Sequence, residues 1–196
     1  MKGNSAIGII CSLSFWTQFS DDSMAPQSPQ NENEIQSTSA DMDRLQQWFS
    51  HLHNSKNYNR NLKSVVPIFA SKERCVFEMP IDEESVNGYG TLHGAATMAL
   101  LDVLTAITVM LSVPQKNVLS VDMSASYMLP VSRGDTVEVT TNVLRIGRTT
   151  AFVEAEFRRK SDGRVAAKGR QTLALVDKQP PKKEIDEPTP DVKSAA

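Results

Sequence analysis

The chain is poor in several residue types, and each scarcity narrows its chemistry. It has two cysteines in 196 residues, Cys11 and Cys75, too few for a disulfide framework, so a reducing compartment is expected. There are three histidines. Two of them, His51 and His53, lie two apart on an expected helix, so their side chains diverge by about 200° and do not share a metal. No metal site is expected. The first 43 residues contain no arginine, which argues against a mitochondrial presequence. Lys2 and the stretch from Ala6 to Trp16 resemble a weak secretory core, but Asn4, Ser5, Ser12 and Ser14 dilute it and no small-x-small cleavage site follows. The glycines form neither a dinucleotide fingerprint nor a P-loop. A net charge of −2 names no partner, and no internal repeat is present.

What is there divides into three parts. Residues 21–43 carry Asp21, Asp22, Glu32, Glu34, Asp41 and Asp43 with no Lys or Arg. So little apolar content cannot offset the entropy of ordering. Residues 1–41 therefore read as a disordered leader, with Met24 as an alternative start, and residues 178–196, rich in Pro, Lys and acid, as a disordered tail. Residues 42–177 remain as one domain large enough for a core.

Within that domain, Leu45, Trp48, Phe49 and Leu52 predict a helix over 42–53. Val65 to Ala70 and Arg74 to Met79 read as strands. After Pro114 the period changes to two: Leu119, Val121, Met123, Ala125 and Tyr127 alternate with Ser120, Asp122, Ser124 and Ser126. Further strands follow over 136–146, 150–158 and 164–176, with turns at Gly147-Arg148 and Ser161-Asp162-Gly163. Runs of strands around one helix predict an α+β antiparallel sheet. From Thr140 to Arg170 eight Arg and Lys face three acids, an excess that suits either a solvated sheet face or a phosphate-bearing ligand. No aromatic residues interleave with it as a stacking platform, so nucleic acid is not expected.

The segment from Ala95 to Leu111 has no Gly or Pro and is apolar on nearly every face, as a buried core helix is. A membrane span is not expected, because Asp102, Thr97, Thr105 and Thr108 interrupt a length at the bottom of the useful range. A buried carboxylate is costly without partners, so Asp102 calls for an explanation other than stability. His93 and Gly94 stand at the helix start, where unpaired N–H groups and the dipole could polarise a carbonyl. Nine residues separate His93 from Asp102, about 13.5 Å of rise and about 900° of turn, which puts them on opposite faces. If both act on one substrate atom, Asp102 must meet the loop of a second copy.

Asn87-x-x-Gly90-x-x-His93-Gly94, Asp102 and Ser120-Val121-Asp122-Met123, at this joint spacing, resemble the hotdog-fold thioesterases of the phenylacetate-pathway type. The resemblance spans about residues 42–177 and extends to Tyr127-Met128-x-Pro130 and Arg145-x-Gly147-Arg148-Thr149. It implies a hotdog fold, a curved antiparallel sheet wrapped around one long buried helix, assembled as homodimers and usually homotetramers. It also implies hydrolysis of fatty acyl-CoA, of medium to long chain, with no cofactor beyond the CoA of the substrate, and a place in lipid metabolism in the cytosol or mitochondria. In the family the residue matching Asp102 is general base or nucleophile, and the one matching Gly94 polarises the thioester carbonyl through its N–H. Those matching Asn87 and His93 orient the loop and the thioester, and that matching Ser120 helps hold the attacking water. Tyr127, Met128, Pro130, Val131 and Ser132, with Arg145, Gly147, Arg148, Thr149 and Thr150, match segments lining the CoA site, the arginines meeting phosphates.

One departure stands out: many family members have a second glycine where this chain has Ala95, whose methyl narrows the approach to the helix. Thioester hydrolysis suits these residues on chemical grounds as well, since a thiolate leaves without a metal and needs only a carboxylate and oxyanion donors. Two other readings stay open. A dehydratase or hydratase of the same fold carries a different histidine-containing helix signature. A non-catalytic acyl-CoA-binding regulator or scaffold would keep the arginines without needing Asp102, Asn87 or Ser120.

Overall fold

The computed structural model describes residues 39–178; the expected leader up to residue 38 and the tail from 179 lie outside them. Helix α1 (Ser39–His53) leads through a short 3-10 helix (Tyr58–Leu62) to strands β1 (Val66–Ala70) and β2 (Arg74–Pro80). Helix α2 (Gly94–Ser112) follows, then β3 (Lys116–Tyr127), β4 (Thr136–Ile146), β5 (Thr150–Arg159) and β6 (Val165–Asp177). One sheet of six strands runs β1-β2-β4-β5-β6-β3, and every neighbouring pair is antiparallel. This is the expected helix in a wrapped antiparallel sheet, the hotdog arrangement.

α1 begins at Ser39, three residues before the expected Met42, and buries Asp41, Leu45 and Phe49. α2 buries Leu100, Leu101, Leu104, Ile107, Val109 and Leu111 against β3 to β6, each such side chain stabilising by roughly 1.5–3 kcal/mol relative to exposure. Although α2 is long and apolar enough by length and composition to cross a membrane, here it serves as the core helix. Two of its buried threonines turn their hydroxyls back onto the helix: Thr97 Oγ1 donates to the His93 carbonyl at 3.3 Å and Thr108 Oγ1 to the Leu104 carbonyl at 2.8 Å. His93 caps its start, and at its end Val113 leaves the helical region, at φ −128° and ψ 62°, ahead of Pro114, which disfavours a helical residue before it.

β3 differs from its predicted alternation. Its pairing with β6 shifts register between Ser120 and Asp122, so Val121 is an extra residue, a β-bulge. An extra residue changes which alternate positions face inward. Before it, Val118 packs inward and Ser120 reaches the helix; after it, Met123 and Ala125 do. Leu119 and Val121 are turned outward, 54% and 64% exposed.

The two sheet edges are unequal. β1 has 5 residues, includes Pro67 and has its own register break. β3 has 12 residues and pairs only with β6 among the described strands. A long edge with exposed Leu119, Val121 and Tyr127 is a template for further pairing.

Candidate active site

The expected site residues fall into two groups within the protomer. The first gathers at the start of α2. Asn87 shapes the preceding loop: its Oδ1 accepts from the Tyr89 N–H at 2.9 Å and its Nδ2 donates to Thr91 Oγ1 at 3.0 Å. Gly90 sits at φ +72°, where a side chain would be strained. The His93 N–H donates to the Ser85 carbonyl at 2.9 Å. Its ring Nδ1 accepts from the Ala95 N–H, also at 2.9 Å. An accepting Nδ1 leaves the ring proton on Nε2, so His93 presents a donor there. The Gly94 N–H, first in the helix, has no acceptor within it. The Tyr127 hydroxyl donates to the Gly94 carbonyl at 3.0 Å, fastening the end of β3 to the helix start.

Beneath this loop runs the segment that follows β3. The Leu92 N–H donates to the Val131 carbonyl at 2.8 Å, the Arg133 N–H donates to the Gly90 carbonyl at 3.0 Å, and Thr91 bridges to Ser132. Val131 itself is buried, so it borders the site through its backbone, whereas Met128, Pro130 and Ser132 are exposed. Beside the helix start lies a cleft of about 260 Å³, with His93, Ala95, Ala96 and Ala99 on one wall and Tyr58 and Leu62 on the other. Ala95, the departure noted above, is thus part of its wall.

The second group surrounds Asp102, eight positions into α2 and about 12 Å from Gly94 along the helix axis. Ser120 Oγ donates to Asp102 Oδ1 at 2.5 Å. Gln171 Nε2 donates to the same oxygen at 2.7 Å and to Ser120 Oγ at 2.8 Å. The Gln171 Oε1 accepts from the Thr105 hydroxyl. Asp102 is half-buried, and these donors answer the question its place in an apolar helix raises. Two features position it. The bulge at Val121 turns Ser120 toward the helix. Gly169 on β6 leaves room for Leu101: a Cβ there would lie 2.6 Å from Leu101 Cδ2.

The sequence reading did not single out Gln171. The available signal was a polar residue in an otherwise apolar inward row, formed with Ala167, Gly169, Leu173 and Leu175 on β6.

The β4–β5 hairpin carries Arg145, Gly147, Arg148, Thr149 and Thr150. Thr150 pairs with Ala174 on β6, which pairs with Leu119 on β3. That puts the turn two strands from Ser120, about 10 Å. The basic excess from 140 to 170 resolves into two sets. Arg158 and Lys168 pair with Glu156, Arg170 with Glu154, Arg159 with Asp162 and Lys160 with Glu78. Arg145, Arg148 and Arg164 have no ion pair among the described residues. The paired set includes the Arg158, Lys168 and Arg170 that line a groove of about 490 Å³ together with Glu138, Glu154 and Glu156, and this groove includes none of the expected site residues.

Residues 89–166 match the thioesterase superfamily. A Caenorhabditis elegans protein named as a "putative esterase" is 46% identical over 132 residues, covering 67% of this chain and 78% of its own. Human acyl-coenzyme A thioesterase 13 is 32% identical over 121 residues, covering 62% of this chain and 86% of its own. The crystal structure of zebrafish thioesterase superfamily member 2 is 33% identical with a TM-score of 0.66, covering 68% of this chain and 97% of that one.

Proposed function

Because this chain belongs to the thioesterase superfamily, we propose that it hydrolyses fatty acyl-CoA, of medium to long chain, to free fatty acid and CoA, with Asp102 as its acid–base group. The observation that carries the reading is the Asp102 carboxylate, fixed by Ser120 and Gln171 in the middle of an apolar helix. In the water-mediated route, the oxygen of a water held near Ser120 bonds to the thioester carbon while its proton passes to Asp102. The carbonyl oxygen gains negative charge, which the Gly94 N–H stabilises, with the His93 Nε2 proton as a second donor. The C–S bond then breaks, the CoA sulfur leaves as thiolate, and it takes up the proton that Asp102 holds. Direct attack by Asp102 would use the same groups and pass through an anhydride that water then opens.

The spacing along α2 supports a shared site. Gly94 and Asp102 of one copy are too far apart to meet one carbonyl. Antiparallel pairing of two β3 edges about a two-fold axis would bring the Tyr127 end of one strand beside the Ser120 end of the other. The helix start of each copy then faces the acid of its partner, in a homodimer that can pair again into a tetramer. Arg145 and Arg148, exposed on the β4–β5 hairpin two strands from Ser120, are suited to the CoA phosphates.

The test is CoA release from medium- and long-chain acyl-CoA by the full chain, wild type beside Asp102→Asn. Turnover that falls by about 100-fold or more in the variant, with folding and oligomer size kept, is the expected result. Binding of acyl-CoA without turnover by the wild type would replace this reading with a ligand-binding one.

A further inference from the structure

We infer that Gln171 is a positioning residue for this reaction: it fixes the rotation of the Asp102 carboxylate, so that one oxygen is anchored and the other faces the substrate. The inference rests on the hydrolase reading of the same site. Gln171 is 2% exposed, and an amide so buried is destabilising unless its polar atoms are bonded. Each of them is. The amide nitrogen donates to Asp102 Oδ1 at 2.7 Å and to Ser120 Oγ at 2.8 Å, two acceptors on the same side of it. The single Ser120 hydroxyl proton goes to the same Oδ1 at 2.5 Å. The amide oxygen accepts from Thr105.

This pattern has a direction. Thr105 donating to Oε1 fixes the amide with its nitrogen toward the acid. With the amide turned over, its oxygen would face a carboxylate oxygen, and two acceptors would repel. Thr105 Oγ1 also lies 2.7 Å from the Leu101 carbonyl, and one hydroxyl proton serves one acceptor at a time. The Thr105 rotor is therefore where the amide's orientation is held or lost. Oδ1, taking protons from both Ser120 and Gln171, is anchored. Oδ2, to which no described residue donates, is the oxygen presented to water or to the thioester carbon. Ser120 alone would leave the carboxylate free to rotate about its χ2, which is a broad, roughly two-fold torsion.

The experiment compares steady-state kinetics of the full chain for wild type, Gln171→Met, Ser120→Ala and the double variant. Met nearly matches the volume of Gln and removes both donors. Losing a hydrogen bond to a charged group predicts a kcat lower by about ten- to 100-fold, with KM within about two-fold. If Gln171 acts through the same carboxylate as Ser120, the double variant loses no more than about the larger single effect, not the product. Thr105→Val, which leaves Gln171 in place, should lower kcat in the same sense by a smaller factor, and serves if Gln171→Met does not fold. A Gln171→Met enzyme with wild-type kcat, an effect carried by KM, or multiplicative losses in the double variant would overturn the inference while leaving the hydrolase reading intact. Absence of turnover in the wild type would sink both.

Discussion

Around Asp102 the donors of Ser120, Gln171 and Thr105 are all committed inside the protomer. At the start of α2 the Gly94 N–H and the His93 Nε2 have no partner among the described residues, though the loop that presents them is held by Asn87, Ser85 and Val131. The contrast follows from what each half must do. A carboxylate that will move a proton works best when its dipoles are already in place, because nothing then reorganises as charge moves. Donors meant for a carbonyl oxygen must be left open and aimed. In the proposed reaction neither half suffices alone, and the helix that carries both keeps them apart.

The ordered half can be broken without touching any of its polar atoms. A Cβ at Gly169 would lie 2.6 Å from Leu101 Cδ2 and 3.0 Å from the Ser124 carbonyl, and Leu101 is fully buried. Gly169→Ala should therefore cost about 1–3 kcal/mol of stability, as overpacking does, measured by denaturant unfolding. Because Leu101 adjoins Asp102, kcat should fall as well, while acyl-CoA binding, proposed above for the hairpin arginines, should persist. Unchanged stability would show that α2 sits less tightly on β6 than the close approach requires.

The smallest expected effect lies under the open half. The Arg159 Nη1 donates to the Pro130 carbonyl at 3.1 Å, and its guanidinium pairs with Asp162, fastening the β5–β6 hairpin to the segment beneath the helix start. That guanidinium, aided by the Arg164 N–H, holds the Asp162 carboxyl at about 2 against an ordinary 3.8. A depressed carboxyl contributes stability above its unfolded pKa and loses it as pH falls through the folded one. The Tm difference between wild type and Asp162→Asn should then be complete above a pH of about 4, shrink through about pH 3 and be nearly gone by about pH 2. The pair is exposed, so the difference should be small and reduced by salt. A difference that grew on acidification would reverse the assignment.

Much of this was legible in the sequence, for physical reasons that also mark where legibility ends. The core helix could be read from its unbroken apolar composition, the order of strands from their alternation, and the β5–β6 turn from Gly163, which takes φ +69°. The distance between His93 and Asp102 is a property of any helix. The bulge at Val121 was not legible, because alternation along β3 ranks Leu119, Val121 and Met123 alike, and the break is set by pairing with β6. Gln171 was hidden for a similar reason: its partners Asp102 and Ser120 lie 69 and 51 residues away. The basic excess could be counted but not divided. Cross-strand pairing is what separates the Arg158 and Lys168 that meet Glu156 from Arg145 and Arg148.

The central claim, that one site is completed by two copies, is tested most directly by complementation. Asp102→Asn removes the acid. Gly94→Pro removes the N–H at the first helical position, where proline is tolerated, and His93 already has the extended backbone that precedes proline, at φ −66° and ψ 136°. Each variant alone should be nearly inactive. Co-expressed with different tags, they form mixed dimers in which one site carries both defects and the other neither, so the account predicts recovery to about a quarter of the wild-type rate. Activity no higher than the sum of the two single variants, with mixed dimers demonstrated, would contradict it and place the whole site within one chain.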